Sequence, residues 1–198
     1  MTHYFETPTS EERRRTIDVR FWDTDWTFTT AAGVFSGDGL DLGTGVLLRT
    51  HTPDAGARRI LDLGCGYGVL TVAAASAAPG ATVDAVDTNE RALALTRLNA
   101  AAHGVGDRVR ATLPEAADPE ARYDEIWSNP PIRIGKQALH ELLLTWLPRL
   151  KPDGVARMVV GKNLGADSLV GWLTEQGFPT RKVHSAKGFR VLGTRRRR

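Results

Sequence analysis

From residue 59 onwards, short apolar runs alternate with longer stretches in which apolar residues recur at helical spacing. The runs predict strands at residues 59–63, 82–86, 109–112, 123–128 and 155–160. The stretches between them predict helices at residues 69–77, 89–103, 136–150 and 167–176. Strands that alternate with helices form right-handed βαβ units. The chain is therefore predicted to be an α/β protein with a doubly wound, mostly parallel sheet covered by helices on both faces.

Two hairpins are predicted outside this alternation. Residues 16–21 and 26–30 flank Asp23-Thr24-Asp25 and predict an N-terminal β-hairpin, which is followed by a loop and a helix at residues 43–50. Residues 181–184 and 189–193 predict a closing hairpin around Ala186-Lys187-Gly188. This hairpin would add one antiparallel strand and bring the sheet to seven strands.

Composition limits the class of protein. The 198 residues are 41% hydrophobic and 25% charged, which suits one globular domain with a sizeable core. No apolar run is long enough to cross a bilayer, and the polar N-terminus lacks a signal peptide, so we expect no membrane partner and a cytoplasmic location. A single cysteine, Cys65, excludes an intramolecular disulfide and a cysteine-based zinc cluster, and the histidines are scattered, so no metal site is expected.

The net charge of +3 includes a terminal run of four arginines, residues 195–198. Such a run can contact phosphates or can be a solvated end. Charge therefore permits a nucleic-acid partner without requiring one.

A glycine-rich turn joins the strand at residues 59–63 to the next helix. Gly64, Gly66 and Gly68 permit a tight turn and a close approach of a ligand to the backbone, with a spacing that differs from the G-x-G-x-x-G of nicotinamide-binding folds. Asp87 ends the next strand, 23 residues beyond Gly64, where an acid can accept hydrogen bonds from ribose hydroxyls. The alternative role of Asp87 is a helix cap, for which Thr88 and Asn89 are equally suited.

These features resemble the first motif and the following acid of class I S-adenosylmethionine-dependent methyltransferases. The resemblance implies that S-adenosylmethionine is the cofactor and that the sheet is Rossmann-like. It implies a loop around the methionine part of the cofactor formed by Asp62, Gly64, Cys65, Gly66, Tyr67 and Gly68. Asp87 would hold the ribose, and Thr88 would also belong to the cofactor site. The adenine would be held either by backbone groups near Leu113 or by Glu115.

The second informative motif, Asn129-Pro130-Pro131-Ile132, follows the predicted strand at residues 123–128. Two prolines stop the strand and fix the backbone, which leaves a polar amide at the carboxyl end of a strand, where open α/β sheets bind ligands. The side-chain oxygen of Asn129 and the carbonyl of Pro130 can accept both hydrogens of a planar amino group. A rigid turn without a catalytic role is the alternative.

This motif resembles the (Asn/Asp)-Pro-Pro-aromatic motif of methyltransferases that modify amino or amide nitrogens. The resemblance implies catalytic roles for Asn129, Pro130, Pro131 and Ile132, with Asn129 also beside the cofactor. Ile132 departs from the pattern because the fourth residue is usually an aromatic ring that stacks on the base. Another ring, Trp22, Trp26 or Phe35, can compensate. Cys65 lies in the cofactor loop, which argues against carbon-5 pyrimidine methylation by a cysteine nucleophile.

Residues 33–48 resemble the segment that precedes the cofactor fold in ribosomal RNA guanine-N2 methyltransferases of the RsmC type. This resemblance covers about residues 33–192 and implies that Phe35 and Thr44 cover the methionine end of the cofactor. RsmC-type enzymes carry an additional N-terminal domain of similar fold, so we expect a stand-alone catalytic domain here. A basic rim for substrate RNA is expected from Arg133, Lys136, Lys162, Lys187 and Arg190.

The sequence thus divides into a leader and hairpin (1–32), a class I methyltransferase domain (33–194) and a basic tail (195–198). The leading hypothesis is N-methylation of a guanine exocyclic amine in ribosomal RNA by direct transfer. Methylation of a protein glutamine amide or a small-molecule amine is a second hypothesis. A non-catalytic RNA-binding module with this fold is a third. The sequence does not indicate an oligomeric state.

Overall fold

A computed structural model describes residues 13–36, 39–131 and 134–197. Two sheets are present in these residues: a two-stranded N-terminal hairpin and a seven-stranded sheet. The strands are β1 (Arg14–Phe21), β2 (Thr24–Ala31), β3 (Arg59–Leu63), β4 (Thr82–Val86), β5 (Val109–Thr112), β6 (Tyr123–Ser128), β7 (Leu150–Gly161), β8 (Thr180–Ala186) and β9 (Phe189–Arg195). The helices are α1 (Leu42–Thr50), α2 (Val69–Ala77), α3 (Glu90–Ala102), α4 (Lys136–Trp146) and α5 (Ala166–Glu175).

The large sheet has the strand order β5-β4-β3-β6-β7-β9-β8. Strands β3 to β7 are parallel, and β9 is antiparallel to both of its neighbours. The predicted α/β fold, the seven strands, the N-terminal hairpin and the single antiparallel strand are therefore confirmed. The order reverses at β3, so the carboxyl ends of β3, β4 and β6 surround one crevice.

Helices cover both faces of the sheet. On one face α1, α2, α3 and the β1–β2 hairpin share a core that includes Phe28, Leu47 and Leu95. On the other face α4 and α5 bury Leu143 and Leu173 among other residues. Helices α4 and α5 bury apolar residues at helical spacing, whereas α1 and α2 bury six and seven consecutive residues.

Two predicted boundaries were wrong by four or more residues, for identifiable reasons. The helix predicted to reach residue 150 ends at Trp146, because Pro148 cannot continue it and Leu147–Arg149 forms a 3-10 turn. Strand β7 begins five residues before the predicted start at residue 155. Its Leu150 pairs with Tyr123 ahead of a register shift, and Gly154 lies so close to β6 that a Cβ there would be 2.8 Å from the Tyr123 carbonyl oxygen.

The N-terminal hairpin turns at Trp22 and Asp23 rather than at the predicted Asp23-Thr24-Asp25. Both residues have positive φ, as a two-residue turn of this type requires. The turn is held because the Trp22 indole Nε1 donates to the Leu48 carbonyl at 2.6 Å. Trp26 stacks on Phe21 with ring centroids 4.9 Å apart. Both tryptophans therefore belong to the packing of the hairpin.

A buried asparagine fixes the hairpin to the main domain. Asn99 on α3 accepts from the Thr29 N–H at 2.8 Å and donates to the carbonyls of Thr29 and Tyr67 at 2.9 and 2.7 Å. One side chain thus connects β2 to the glycine-rich turn.

Candidate functional site

The turn between β3 and α2 is the glycine-rich loop identified from sequence. Gly64, Gly66 and Gly68 all have positive φ, at 78°, 56° and 93°. A Cβ at Gly66 would meet no atom within 4 Å, whereas one at Gly68 would lie 3.0 Å from Thr96 on α3. Gly68 therefore serves helix packing, while Gly64 and Gly66 leave open space in front of the loop. Such space suits a ligand that lies directly on the backbone.

Asp87 follows β4 and contacts this loop directly. Its carboxylate accepts from the Gly66 N–H and from the Asn89 N–H, both at 2.9 Å. The cap of α3 is Asn89, whose side chain accepts from the N–H groups of Arg91 and Ala92. Burial raises the pKa of Asp87, although these backbone hydrogen bonds oppose the rise. The helix-cap alternative for Asp87 is thus taken by Asn89, and Asp87 lines the cleft in front of the loop.

Asp62 lies beneath the loop rather than in the cleft. Its Oδ2 accepts from the Thr71 hydroxyl at 2.5 Å, and its Oδ1 has no hydrogen-bond partner among the described residues. Burial raises the pKa of Asp62 to about 7, and the hydrogen bond from Thr71 only partly opposes this. Asp62 is only 1% exposed, so its carboxyl group supports the loop from inside the core.

Asn129 follows β6 and faces the glycine-rich loop across the cleft. Its amide nitrogen donates to Asp41 Oδ1 at 2.6 Å and to the Thr44 hydroxyl at 3.1 Å. Asp41 is the N-cap of α1 and also accepts from the Thr44 N–H at 2.9 Å. Because the NH₂ group is used in this way, the side-chain carbonyl oxygen of Asn129 is the atom left to accept hydrogen bonds from a ligand.

Asp41 was missed by the sequence analysis, which gave no role to this carboxylate. The available signal was an N-cap pattern, since an aspartate directly precedes an apolar helix. That pattern predicts a helix start and does not reveal a partner 88 residues away.

The cleft has a volume of about 400 Å³, within the usual range for small-molecule sites. Gly64, Gly66, Val86, Asp87 and Thr88 line one side. Asn129, Pro130 and Pro131 line the other side, with an apolar wall from the second half of the chain formed by Leu142, Trp146, Val159, Leu164 and Phe189. This combination of a bare glycine backbone, a carboxylate and apolar surface fits a nucleoside-containing ligand.

Six of the twelve predicted cofactor residues line this cleft. Phe35 lines it with 44% of its surface exposed, and Thr44 lies in a small adjoining cavity with Asp41 and Cys65. Of the three rings proposed to replace an aromatic residue at position 132, Phe35 is the one that lines the cleft. Leu113 packs beside Cys65 and Leu93, and the adjacent Pro114 lines the cleft in its place.

Two loop residues face inwards. The Tyr67 hydroxyl donates to the Gly39 carbonyl at 3.0 Å, which joins the loop to the segment before α1. Burial, together with Asp87 and Asp62, raises the pKa of Cys65 well above its ordinary value. A thiol held in its neutral form is a poor nucleophile.

The basic residues predicted to contact RNA differ in how exposed their side chains are. Lys136, Lys162 and Lys187 are exposed. Arg190 forms an ion pair with Asp167, and its side chain is only 14% exposed. Arg190 is therefore less available for phosphates than the sequence suggested. Ile132 and Arg133 lie outside the described residues.

Residues 13–36, 39–131 and 134–197 contain no cluster of three or more histidine, cysteine or acidic side chains that could hold a metal ion. No helix within those ranges has the length and apolar character needed to span a bilayer.

Residues 25–193 match the methyltransferase small domain family. The chain is 31% identical to an uncharacterised Bacillus subtilis protein, YbxB, over 96% of both chains. It is 41% identical over 137 residues to the ribosomal RNA small subunit methyltransferase C of Salmonella choleraesuis, covering 67% of this chain and 40% of the relative. The chain spans less than half the length of that relative.

Among solved structures, the chain is similar to the T. thermophilus 16S rRNA N2 G1207 methyltransferase (RsmC) in complex with AdoMet and guanosine. The two share 26% identity with a TM-score of 0.78, over 96% of this chain and 52% of that one. A ribosomal protein L11 methylase from Lactobacillus delbrueckii has a TM-score of 0.58 at 22% identity, which indicates a shared fold.

Proposed function

This chain belongs to the methyltransferase small domain family, and we propose that it transfers a methyl group from S-adenosylmethionine to the exocyclic N2 amine of a guanine in ribosomal RNA, in the cytoplasm. The observation that carries the proposal is the orientation of Asn129. Its amide nitrogen is held by Asp41 and Thr44, so its carbonyl oxygen is available at the carboxyl end of β6.

An exocyclic amine on a base is a weak nucleophile because its lone pair is delocalised into the ring. The Asn129 oxygen and the Pro130 carbonyl would accept its two hydrogens, orient the nitrogen and favour the pyramidal form. The gain in rate would come from positioning and electrostatic stabilisation. Asp41 strengthens this arrangement, since its negative charge holds the Asn129 amide in one orientation.

The cofactor would lie along the glycine-rich loop. Gly64 and Gly66 offer open backbone, Asp87 offers a carboxylate to the ribose hydroxyls, and Phe35 and Thr44 border the methionine end. S-adenosylmethionine supplies an electrophilic methyl group on a sulfonium. In direct transfer the new N–C bond forms as the S–C bond breaks, and the amine proton then passes to solvent. No enzyme nucleophile is needed, in agreement with the buried, neutral Cys65.

The guanine ring would occupy the apolar side of the cleft. Three rings border this space among the described residues: Phe35, Phe189 and the almost fully buried Trp146. We propose that Phe35 and Phe189 take over the stacking for which an aromatic residue at position 132 is typical. Lys136, Lys162 and Lys187, together with Arg133, would contact phosphates at the rim.

The relatives support this choice of acceptor. The Salmonella relative is named for small-subunit ribosomal RNA, and the T. thermophilus structure holds guanosine beside AdoMet. Both proteins are longer than this chain, so the acceptor used by this chain needs an experiment of its own.

The purified protein should be incubated with radiolabelled S-adenosylmethionine and in vitro transcribed 16S rRNA, and the nucleosides should be separated after digestion. We expect label in N2-methylguanosine. Parallel reactions with ribosomal proteins and with small-molecule amines serve as comparison. Label confined to one of those fractions, with unlabelled RNA, would overturn the proposed acceptor.

A further inference from the structure

A second concave surface lies on the same face of the sheet as α1, between the carboxyl end of that helix and edge strand β8. We call it the α1–β8 groove. It has a volume of about 310 Å³. Its lining residues are Arg49, Thr50, His51, Arg157, Val183, His184 and Val191. None of these residues lines the cleft that contains Asn129.

Arg157 on β7 is the central feature of the groove. Its side chain is half-buried, yet it forms no hydrogen bond or ion pair within the part of the chain that the structure describes. Burial lowers the pKa of Arg157, as do the neighbouring cations Arg195 and Arg181, while Glu125 acts in the opposite direction. An arginine fork without a partner, beside other cations, is suited to bind an added anion.

A missing side chain on β9 makes room for this arginine. Gly193 stands between Arg157 on β7 and Arg181 on β8, as the paired residue on both sides. A Cβ at Gly193 would overlap the Arg157 guanidinium. The guanidinium therefore lies across β9 towards β8, where Arg181 is exposed.

The acid nearest to Arg157 is already committed to other partners. Glu125 accepts hydrogen bonds from the His51 ring at 2.9 Å, the Asp54 N–H at 2.6 Å and the Trp127 indole at 2.7 Å. Its charge is spread over these donors. Arg49 and Arg181 beside the groove are exposed, so the surface presents two further arginines to solvent.

The groove and the methyl-transfer cleft are lined by residues of the same two strands, at opposite ends of α1. Val159 and Phe189 line the cleft, and residues two positions away on the same strands, Arg157 and Val191, line the groove. Two residues of a strand span roughly 7 Å. The outer face of β8 is uncovered on this side, and Val183 is 41% exposed there.

We propose that the α1–β8 groove binds the sugar-phosphate backbone of the RNA strand next to the nucleotide that enters the cleft. This rests on the proposed RNA substrate. Phosphates pair with Arg157 and Arg181, and the exposed apolar surface of Val183 contacts a sugar. β8 is hydrogen-bonded to β9 in the large sheet, which gives the groove a rigid floor. The bound RNA strand is therefore held at a fixed distance from the cleft.

The test measures binding of in vitro transcribed 16S rRNA at several salt concentrations. Arg157→Gln and Arg181→Gln should each weaken binding severalfold and lower the slope of log K against log salt by about 0.7 to 1. Arg110→Gln is the matched control, because Arg110 is an exposed arginine on β5, the edge strand at the other end of the sheet. It should leave affinity and slope unchanged.

Calorimetry with S-adenosylmethionine and a thermal melt accompany each variant. Arg181 is exposed, so Arg181→Gln keeps the test valid if Arg157→Gln is poorly folded. The RNA-methylation reaction should show a raised KM and an unchanged kcat for Arg181→Gln. Wild-type affinity and slope in both folded arginine variants would overturn the groove and leave the proposed acceptor standing. A wild-type protein that binds cofactor but neither binds nor methylates RNA would instead overturn the proposed function, and the groove with it.

Discussion

The carboxyl edge and the amino edge of the parallel strands both carry buried or half-buried carboxylates, and the pKa values of these groups shift in opposite directions at the two edges. At the carboxyl edge, burial raises the pKa of Asp62 to about 7 and also raises that of Asp87. At the amino edge, Asp124 and Glu125 are also penalised by burial, yet the hydrogen bonds and cations around them hold both pKa values below their ordinary range.

The difference lies in the cationic or ring donors as well as in the number of donors: Asp87 also accepts from two N–H groups, but Lys151 pairs with Asp124 and the His51 ring contacts Glu125. Asp124 accepts from the N–H groups of Arg58 and Arg59 and from the Lys151 ammonium at 2.8 Å. Asp62 has one donor, the Thr71 hydroxyl, and one oxygen without a partner in the described residues. The amino edge is thus built for stability, while the carboxyl edge keeps polar atoms incompletely satisfied beside the cleft.

The largest expected effect is on stability and falls at the amino edge. Glu125→Ala should lower the free energy of unfolding by about 3–5 kcal/mol, because it removes a buried acid and leaves His51 and Trp127 without their acceptor. Denaturant unfolding measures this. Glu120→Ala is the control, since the Glu120 side chain is 87% exposed and should change stability by less than about 1 kcal/mol. Equal losses in the free energy of unfolding for the two variants would show that the buried acid at the amino edge stabilises the fold no more than an exposed one.

The next effect is on activity and falls at the carboxyl edge. Asn129→Ala should reduce kcat by about 100-fold or more, because the amine loses a positioned acceptor. Cofactor affinity by calorimetry should stay within a few-fold of wild type. Asn163→Ala, which alters an exposed asparagine, should be fully active. Full turnover by Asn129→Ala would show that the amide has no part in the chemistry.

The pH dependence of stability should differ between the edges. The pKa of Asp62 is about 7 in the folded chain against an ordinary 3.8, so the folded state binds the proton more tightly. Its contribution therefore favours folding at low pH, falls as pH rises from about 4 to 7 and is constant above that. Asp62→Asn should remove this decline, on the order of 4 kcal/mol in total, from unfolding curves measured across that range.

The lowered pKa of Glu125 predicts the opposite sign. Its contribution is full above the unfolded pKa and is lost as pH falls through the folded value. An Asp62→Asn curve that keeps the wild-type decline between pH 4 and 7 would assign that decline to another group.

The smallest expected effect concerns the support of Asn129. Asp41→Ala should lower kcat by about 10-fold, since it removes the 2.6 Å acceptor of the amide, and should cost about 1 kcal/mol of stability through loss of the α1 cap. Asp41→Ser retains a capping oxygen on a shorter side chain. It should restore stability without restoring kcat. Recovery of both would mean that Asp41 acts only as a cap.

The sequence predicted local structure well because strands and helices here follow simple apolar periods. Strands β3, β4, β5 and β6 and helix α2 have the bounds that the periodicity predicted. The errors came from single residues that override a period, such as Pro148 at the end of α4 and Trp22 in the hairpin turn.

Within the candidate site, the glycine loop, Asp87 and Asn129 were identified because each directly follows a strand. Asp41, the pairing of Arg190 with Asp167, and the unpaired Arg157 were not foreseen. Each depends on contacts between elements far apart in sequence, for which no local period exists.

The position of β9 has a consequence for biosynthesis. It is translated after the other eight strands described, yet it lies in the interior of the sheet, between β7 and β8. Before β9 has emerged from the ribosome, the five parallel strands can already pair, but β8 has no neighbouring strand to pair with. The basic edge strand is thus completed last, after the cofactor-binding half has had time to fold. A ribosome that stalls before residue 189 would display β7 as an open edge, the kind of surface that chaperones bind.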